Sequence, residues 1–212
     1  MTNDDAEAIV KQVPLIKAVA SETSRRYQIT YKGKNTNTSV VGTVPNYTVV
    51  RNVAVDQGVF IRDQDIKAIS KIAVLGPTTR DDLFGAGVDP IGQTIKINKV
   101  DFKVVGVTKA KGGSGFGSQD DMVFVPLATS QRYLAGDNYV SQISIQAQSQ
   151  DPMTAVQNQV TELLLARHKI SNPASADFQL MNQSDITSAA SSVTGTFTTL
   201  LAAIAGISLL VG

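Results

Sequence analysis

Two stretches of the chain alternate apolar and polar residues with the period of two that is typical of β-strands. In residues 25–44, apolar side chains alternate with polar ones up to Gly33, and β-branched residues resume beyond it. In residues 93–110, isoleucines alternate with polar residues up to Asn98-Lys99, and an apolar return strand follows. Each stretch predicts a β-hairpin, the first with one solvated face and a turn at Gly33, the second with a turn at Asn98-Lys99.

Shorter runs predict the remaining strands. The segments KIAVLG at 71–76 and MVFVPL at 122–127 are short and apolar. Pro126 marks either the end of the second segment or an edge position, because proline has no amide to donate within a sheet. Extended or imperfectly alternating residues predict further strands at 51–61, 139–148 and 177–182.

Helix signals fall between these strands. The clearest helix covers residues 151–168, where Asp151 is the expected N-cap and Pro152 takes the first helical position. Its apolar face is formed by residues three or four apart, namely Val156, Val160, Leu163 and Leu164. The shorter predicted helices are 3–12 with Asp4 and Asp5 in its first turn, 66–70 capped by Asp63 or Asp65, 78–85 capped by Thr78 or Thr79, and 127–136 closed by Gly136.

Composition disfavours several classes of function. The 212 residues fit one large or two small domains, and 19 basic residues nearly balance 18 acidic ones. No broad positive field is therefore available to attract nucleic acid. Because the chain has no cysteine, disulfides, thiolate metal sites and cysteine nucleophiles are excluded. The acidic start MTNDDAEA does not have the basic and apolar character of a signal peptide.

The last part of the chain is strongly apolar. After Asp185 no charged residue occurs, and residues 197–212 read FTTLLAAIAGISLLVG. About 20 apolar residues are needed to cross a bilayer, slightly more than this run supplies. Two interpretations remain open: a buried core helix, or the truncated start of a transmembrane helix. In the second case, small residues would allow close packing on another membrane helix: Ala202, Ala203, Ala205, Gly206 and Ser208.

Three groups of residues suggest chemistry, and each also has a structural interpretation. The glycine run at 112–117 lacks the patterns of nucleotide-binding loops, which favours a surface loop between strands. His168 is the single histidine, and its position at a helix end favours a role beside the helix dipole over a Ser-His-Asp arrangement. Three acidic pairs lack the calcium-loop pattern and favour capping and solvation: Asp63/Asp65, Asp81/Asp82 and Asp120/Asp121.

The segment DPIG has a mechanical interpretation. Asp89, Pro90 and Gly92 occupy the first, second and fourth positions of a predicted type I turn, each in a position that turn chemistry prefers. This turn reverses the chain and starts the strand at QTIKIN. We expect Leu83 and Phe84 to pack back on a small apolar core of Leu75, Ile91 and Ile95, and we expect Gly92→Val to destabilise the corner.

Four segments occur in an order that is similar to a known family. VFIRDQDIKAISKIAVLG, DLFGAGVDPIGQTIKIN, DFKVVGV and DMVFVPLATSQRYLAG resemble the extracytoplasmic core domain of MacB-type ABC transporter permeases, the MacB/FtsX-like family. The resemblance covers most of the chain and includes VTELLLARHKI and DFQLMNQSDI. Its framework positions are Leu75, Gly76, Leu83, Phe84, Asp89, Pro90, Gly92, Gly106 and Pro126.

The resemblance implies an α+β fold with two subdomains. Residues 1–50 and 138–185, from the two ends of the segment, would form a porter-like α/β subdomain, and residues 51–137 an inserted small α/β subdomain. Residues 186–212 would be a linker and the truncated start of the second of four transmembrane helices. The domain would then lie on the extracytoplasmic side of the cell membrane, which is the inner membrane in a Gram-negative cell.

The resemblance also implies a function. The domain would belong to a homodimeric export permease and would transmit ATP-driven motion, with no catalytic, metal or cofactor site of its own and no nucleic-acid partner. ATP and Mg²⁺ would act in an associated ABC ATPase domain outside this chain. A membrane-fusion adaptor and an outer-membrane channel are the expected partners. The alternative is a binding or sensing domain, as in lipoprotein-release or antimicrobial-peptide-resistance permeases, which an apolar groove would support.

Overall fold

The computed structural model describes residues 1–112, 118–149 and 153–182, together with Thr194, Phe197, Thr198, Leu200 and Leu201. It divides into two compact units, Met1–Val156 and Gln157–Gly212. The helices are α1 Asn3–Gln12, α2 Tyr47–Val50, α3 Asp63–Lys67, α4 Pro77–Phe84, α5 Leu127–Ser130 and α6 Met153–Arg167. The strands are β1 Ile16–Tyr31, β2 Lys34–Thr43, β3 Val55–Gly58, β4 Ile72–Leu75, β5 Thr94–Ile97, β6 Val100–Thr108, β7 Met122–Pro126 and β8 Gln142–Ala147.

The strands of the first unit form one mixed sheet whose pairings close into a ring. Following the ring, β1 pairs with β2, β2 with β7, β7 with β4, β4 with β6, β6 with β5, and β5 with the end of β1. The β2–β7 and β4–β6 pairs are parallel, and the other four are antiparallel. Outside the ring, β8 pairs with the first half of β1 and β3 pairs with β6.

The two faces of this sheet carry separate apolar clusters. On β7, Val123 and Val125 contribute to one cluster, while Phe124 between them contributes to the other. The first cluster also takes in Leu83 of α4, and the second Tyr47 of α2. Because successive side chains of a strand point to opposite faces, this division shows that the sheet is buried on both sides at β7.

Both predicted hairpins are confirmed. The first turns at Lys32 and Gly33 and the second at Asn98 and Lys99, and all four residues have positive φ, as two-residue hairpin turns of type I′ require. β1 begins earlier than the predicted strand, at Ile16, and so extends over 16 residues. Pro126 ends β7, which lies between β2 and β4 and is therefore not an edge strand.

Two predicted helix starts are wrong, by three residues in α3 and by one in α4. Helix α3 begins at Asp63 after extended Arg62, whose amide donates to Asp65 Oδ2 at 3.0 Å. Helix α4 begins at Pro77 after extended Gly76, so neither threonine caps it. A helix starts where the backbone leaves the extended region, and residue preference alone does not fix that position. Gly136, with φ of 76°, ends the helix predicted at 127–136, as expected. The second half of this helix, Gln131–Ala135, is a π-helical turn.

The second unit contains most of α6, a 3-10 turn at Pro173–Ser175 and residues without regular secondary structure. Asp151 and Pro152, the predicted start of that helix, lie outside the described residues. Residues 177–182 alternate between exposed and half-buried, but the strand predicted there is wrong, because a strand also needs a hydrogen-bonded neighbour. Most of the predicted transmembrane start at 197–212 also lies outside the described residues. Across the described ranges, no helix has the length and apolarity that crossing a membrane requires.

Candidate functional site

Seven of the nine framework positions lie in the segment that runs from the end of β4 through α4 to β5. Gly76 follows β4 at a point where two backbones almost touch. Its amide donates to Met122 O at 2.8 Å, and the amide of Thr78 donates to Asp120 O at 2.9 Å. A Cβ on Gly76 would lie 2.4 Å from Asp120 O, closer than any side chain tolerates. Glycine at this position therefore lets the start of α4 lie directly against the residues that precede β7.

The end of α4 closes one side of the first apolar cluster, which includes Leu83. Leu83 is completely buried with Leu75 and Ile95, as the sequence predicts. Phe84 is partly buried, and its ring lies 4.1 Å from that of Tyr31. Ile91 was expected in the same core but remains 38% exposed, so that expectation is wrong. The corner is thus packed from α4 and the strands, without the residue in the turn.

The turn after Asp89 differs from the predicted type I turn. Its hydrogen bond runs from the amide of Gln93 to Pro90 O at 3.1 Å, one residue later than predicted. Gly92 therefore takes the third position with φ of 82°, which is the feature of a type II turn. Asp89 lies before the turn, where its Oδ1 accepts from the amide of Ile91 at 2.9 Å. The aspartate, proline and glycine still direct the turn, but in a shifted register.

Gly106 holds two strands in close contact. A Cβ on this residue would lie 2.4 Å from Val59 O and 3.1 Å from Gln57 O, both backbone atoms. At the same place, Gly58 of β3 pairs with Gly106 of β6 beside a register shift. Any side chain at Gly106 would therefore separate β3 from β6. Gly76 and Gly106 are both required because neighbouring backbone atoms leave no room for a side chain. Sequence spacing alone does not reveal such contacts.

Asp120 holds the residues at the start of the glycine run, whose predicted surface loop lies outside the described residues from 113 to 117. Its carboxylate oxygens accept from the amides of Lys111 and Gly112, each at 2.9 Å, and the residue is buried. Asp121 accepts from the hydroxyl of Thr79 at 3.3 Å. The structure therefore places this acidic pair in backbone and side-chain hydrogen bonds. Throughout the described part of the chain, no three histidine, aspartate or glutamate residues are grouped in a way that could hold a metal ion.

A buried polar cluster joins β1 to α2. Glu22 Oε1 accepts from Arg51 Nη2 at 2.5 Å, and the side chain of Glu22 is only 8% exposed. Burial, together with the nearby charge of Glu22, raises the pKa of Tyr47 to about 12. Ser141 donates to Glu22 O through its amide and its hydroxyl. This cluster was not predicted from the sequence, although a glutamate after an apolar strand segment is a signal that could have indicated it.

His168 lies beside a carboxylate at the end of α6. Its Nδ1 lies 2.7 Å and 3.0 Å from the two carboxylate oxygens of Asp177. The hydrogen bond from His168 lowers the pKa of the Asp177 carboxyl. The ring of Phe178 meets the imidazole edge-on at 5.9 Å. The imidazole of His168 therefore connects the end of the helix to the segment that follows it.

An open groove of about 620 Å³ lies beside the Gly92 turn. It is lined mainly by polar residues from the β1–β2 turn and the β5–β6 hairpin, among them Thr30, Lys32, Gln93, Thr94, Lys96 and Asp101. Tyr31, also at the groove, donates through its hydroxyl to Gln93 Oε1 at 3.0 Å. The mixture of ammonium, carboxylate and hydroxyl groups suits a polar ligand or a polar segment of a partner.

Sequence comparison identifies similar proteins along almost the whole chain. The model of the family "MacB-like periplasmic core domain" matches residues 1–163. The "Macrolide export ATP-binding/permease protein MacB" of Bdellovibrio bacteriovorus is 40% identical over 210 residues, which cover 99% of this chain and 32% of that protein. The protein of the same name from an Azoarcus species is 37% identical over 212 residues, covering 99% and 31%. The chain thus spans about a third of the length of these relatives.

Solved structures share the fold. The periplasmic region of MacB from Actinobacillus actinomycetemcomitans aligns with a TM-score of 0.77 at 22% identity, covering 90% of this chain and 83% of that one. The extracellular domain of the ABC-type transporter YknZ from Gram-positive bacteria aligns with a TM-score of 0.73 at 22% identity, covering 86% and 89%. Together with the family match and the two relatives, this common fold shows that the chain belongs to the MacB-like periplasmic core domain family.

Proposed function

We propose that this chain is the extracytoplasmic domain of an ABC exporter permease, held in the cell membrane by helices that flank it. The observation that carries the proposal is its similarity to two MacB proteins along 99% of its length. The proposal includes a homodimer, and ATP and Mg²⁺ bound by an ATPase domain on the cytoplasmic side. It also includes the division into a porter-like part, 1–50 with 138–185, and an insert, 51–137.

The domain transmits motion rather than performing chemistry. When the ATPase domains close on ATP, the membrane helices move, and the domain converts that movement into a change of the space that holds the substrate. The ring of paired strands supports this role. Each of its six strands is hydrogen-bonded on both sides, one apolar cluster lies on one face of the sheet, and a second covers part of the other face. A unit built in this way moves as one body, because closely packed interiors deform little.

The domain also carries a docking surface for a membrane-fusion adaptor. In a cell with an outer membrane, an outer-membrane channel completes the export path. The names of the two MacB relatives assign macrolide export to those proteins, and a macrolide is therefore the first substrate to test.

A flexible insertion at the domain boundary tests transmission. In the full permease, a short Gly-Ser segment is inserted at each end of the domain, before residue 1 and after residue 182 of the present numbering. These insertions uncouple the domain from the membrane helices, because such a flexible linker does not carry force. We expect macrolide export into inverted vesicles to fall about tenfold or more, while ATP hydrolysis remains near the wild-type rate.

The control is the same Gly-Ser segment inserted at Gly87, in an exposed turn where even a Cβ would meet no neighbour. Export by this variant should match the wild type. If the boundary insertions leave export unchanged, the domain does not transmit the motion. If ATP hydrolysis is lost together with export, the insertions act on the membrane part, and transmission by this domain is not the explanation.

Recognition of a lipid anchor or a peptide is the second candidate function. An apolar groove in the domain would support it. Saturable binding of a lipopeptide to the 212-residue chain would favour this candidate over transmission alone.

A further inference from the structure

The outer face of the β5–β6 hairpin concentrates positive charge. Cross-strand pairing sets Thr94 opposite Lys103 and Lys96 opposite Asp101, and all four residues are exposed. The residues between them point the other way and are completely buried: Ile95, Ile97 and Phe102. The period of two that fills the core therefore also directs Lys96 and Lys103 to a common surface.

Two hairpin turns extend this surface. Lys99 lies in the β5–β6 turn, and Lys32 lies in the β1–β2 turn at the groove beside Gly92. We call Lys32, Lys96, Lys99 and Lys103 the lysine face. All four are exposed, and Lys96 forms an ion pair with Asp101 at 2.7 Å. Among the described residues, the other three have no ion-pair partner.

The lysine face is a local feature and does not reflect the average charge of the chain. Taking these four lysines and Asp101 from the totals of 19 basic and 18 acidic residues leaves 15 and 17. The rest of the chain is therefore slightly negative, and the lysine face carries the positive excess. Such an asymmetry directs the approach of a negatively charged partner and determines which orientation is productive.

We infer that the lysine face binds an acidic polypeptide segment of a partner protein. The inference rests on the proposed function, in which a second protein docks on this domain. The backbone argues against a dedicated phosphate site, because the amides of Gly92 and Gln93 already donate to Val104 O and Pro90 O. Lysines offer point charges without the bidentate geometry of arginine, and Asp101 among them suits a partner in which acidic and polar residues alternate.

The first experiment uses the 212-residue chain and a labelled peptide of alternating glutamate and serine. Fluorescence anisotropy gives its affinity, and amide NMR shifts give its location. The charge-reversed variant is Lys32→Glu/Lys99→Glu/Lys103→Glu, which leaves the Lys96–Asp101 pair intact. The matched control is Lys17→Glu/Lys67→Glu/Lys109→Glu, three exposed lysines outside the lysine face with the same change of charge. Melting temperatures establish that both variants fold.

We expect the reversed variant to bind the peptide about tenfold more weakly than wild type, and the control to change by about twofold at most. Shifts should concentrate at residues 30–34 and 94–103, and the peptide with glutamine in place of glutamate should not bind. Equal weakening in both variants would show general charge attraction and overturn the inference. Displacement of the peptide by inorganic phosphate, or preferred binding of phosphatidylglycerol vesicles at the lysine face, would reassign it to phosphate groups.

A second experiment separates this inference from the proposed function. The full permease is tested for capture of the membrane-fusion adaptor, again with both variants. Loss of capture in the reversed variant alone supports the inference. If the reversed variant and the control both capture the adaptor as well as wild type, the lysine face is not its docking surface, and the proposed function stands. If wild type binds the acidic peptide at the lysine face but captures no adaptor, adaptor docking fails and the preference for acidic segments stands.

Discussion

Gly106, within strand β6, and Gly92, in a turn, are both required to be glycine, but for different physical reasons. At Gly106, the space that a side chain would need is filled by backbone atoms of Val59 and Gln57. At Gly92, that space is open, and the constraint is the backbone angle, with φ of 82°. The first glycine is required by a contact between strands, and the second by the direction of a turn. The two residues look equivalent in the sequence, and only the fold distinguishes them.

A third position also has a positive φ, but without a glycine. Ile69 follows α3 with φ of 49°, a conformation that is unfavourable for a β-branched residue. The amide of the next residue, Ser70, donates to Asp65 O at 2.9 Å, as is typical where a helix ends in a left-handed residue. We therefore expect substitution to lower the free energy of unfolding strongly where backbone atoms fill the space, and less where only the backbone angle is unusual. Where the present residue is strained, we expect substitution by glycine to raise it.

Gly106→Ala should have the largest effect. Because neither Val59 O nor Gln57 O can move without separating β3 from β6, we expect the free energy of unfolding to fall by about 3 kcal/mol, the upper end of the usual cost of overpacking. Urea unfolding measures it. Gly92→Ala adds the same methyl group in open space and should cost about 1 kcal/mol. Equal losses of stability in the two variants would show that Gly106 and Gly92 are not constrained in different ways.

Gly92→Val should have an intermediate effect. Valine adds bulk without a clash but must adopt a left-handed backbone, so we expect the free energy of unfolding to fall by about 2 kcal/mol. Differential scanning calorimetry can detect a change of this size. Gly92→Asn is the control, since asparagine tolerates positive φ. We expect it to lower the free energy of unfolding by only a few tenths of the loss caused by valine. A melting curve unchanged by valine would show that the turn does not constrain the fold.

Ile69→Gly should have the smallest effect and the opposite sign. Removal of the strain should raise the free energy of unfolding by about 1 kcal/mol, less whatever the half-buried side chain contributes. Ile69→Ala removes the same side chain but keeps the strain, so the difference between the glycine and alanine variants isolates the backbone. If alanine is as stable as glycine in urea unfolding, the left-handed angle carries no cost.

Local pattern predicted much of the fold. The two hairpins, their turns at Gly33 and Asn98-Lys99, and the helix end at Gly136 follow from alternation and turn residues, which act over a few positions. Residues 177–182 show the limit of this reasoning. Their alternation is present, but a strand depends on a neighbour that the segment itself cannot supply.

Long-range features were not predictable. The parallel pairs β2–β7 and β4–β6 close the ring, and nothing near Val40 or Ala73 in the sequence indicates their partners. Glu22 and Arg51 meet across 29 positions of the chain. For the same reason, the lysine face was not identified from the sequence, since Lys32 lies far from Lys99 and Lys103 along the chain and joins them only through the pairing of β1 with β5.

The length of β1 has a mechanical consequence. Its 16 residues span about 50 Å, and they are held by β8 in the first half, by β2 in the second half and by β5 near the end. In antiparallel pairs, the hydrogen bonds lie perpendicular to the strands. A pull along β1 therefore loads many bonds at once in shear, instead of opening them one after another. The strand can therefore carry tension from one end of the sheet to the other without its hydrogen bonds opening in sequence.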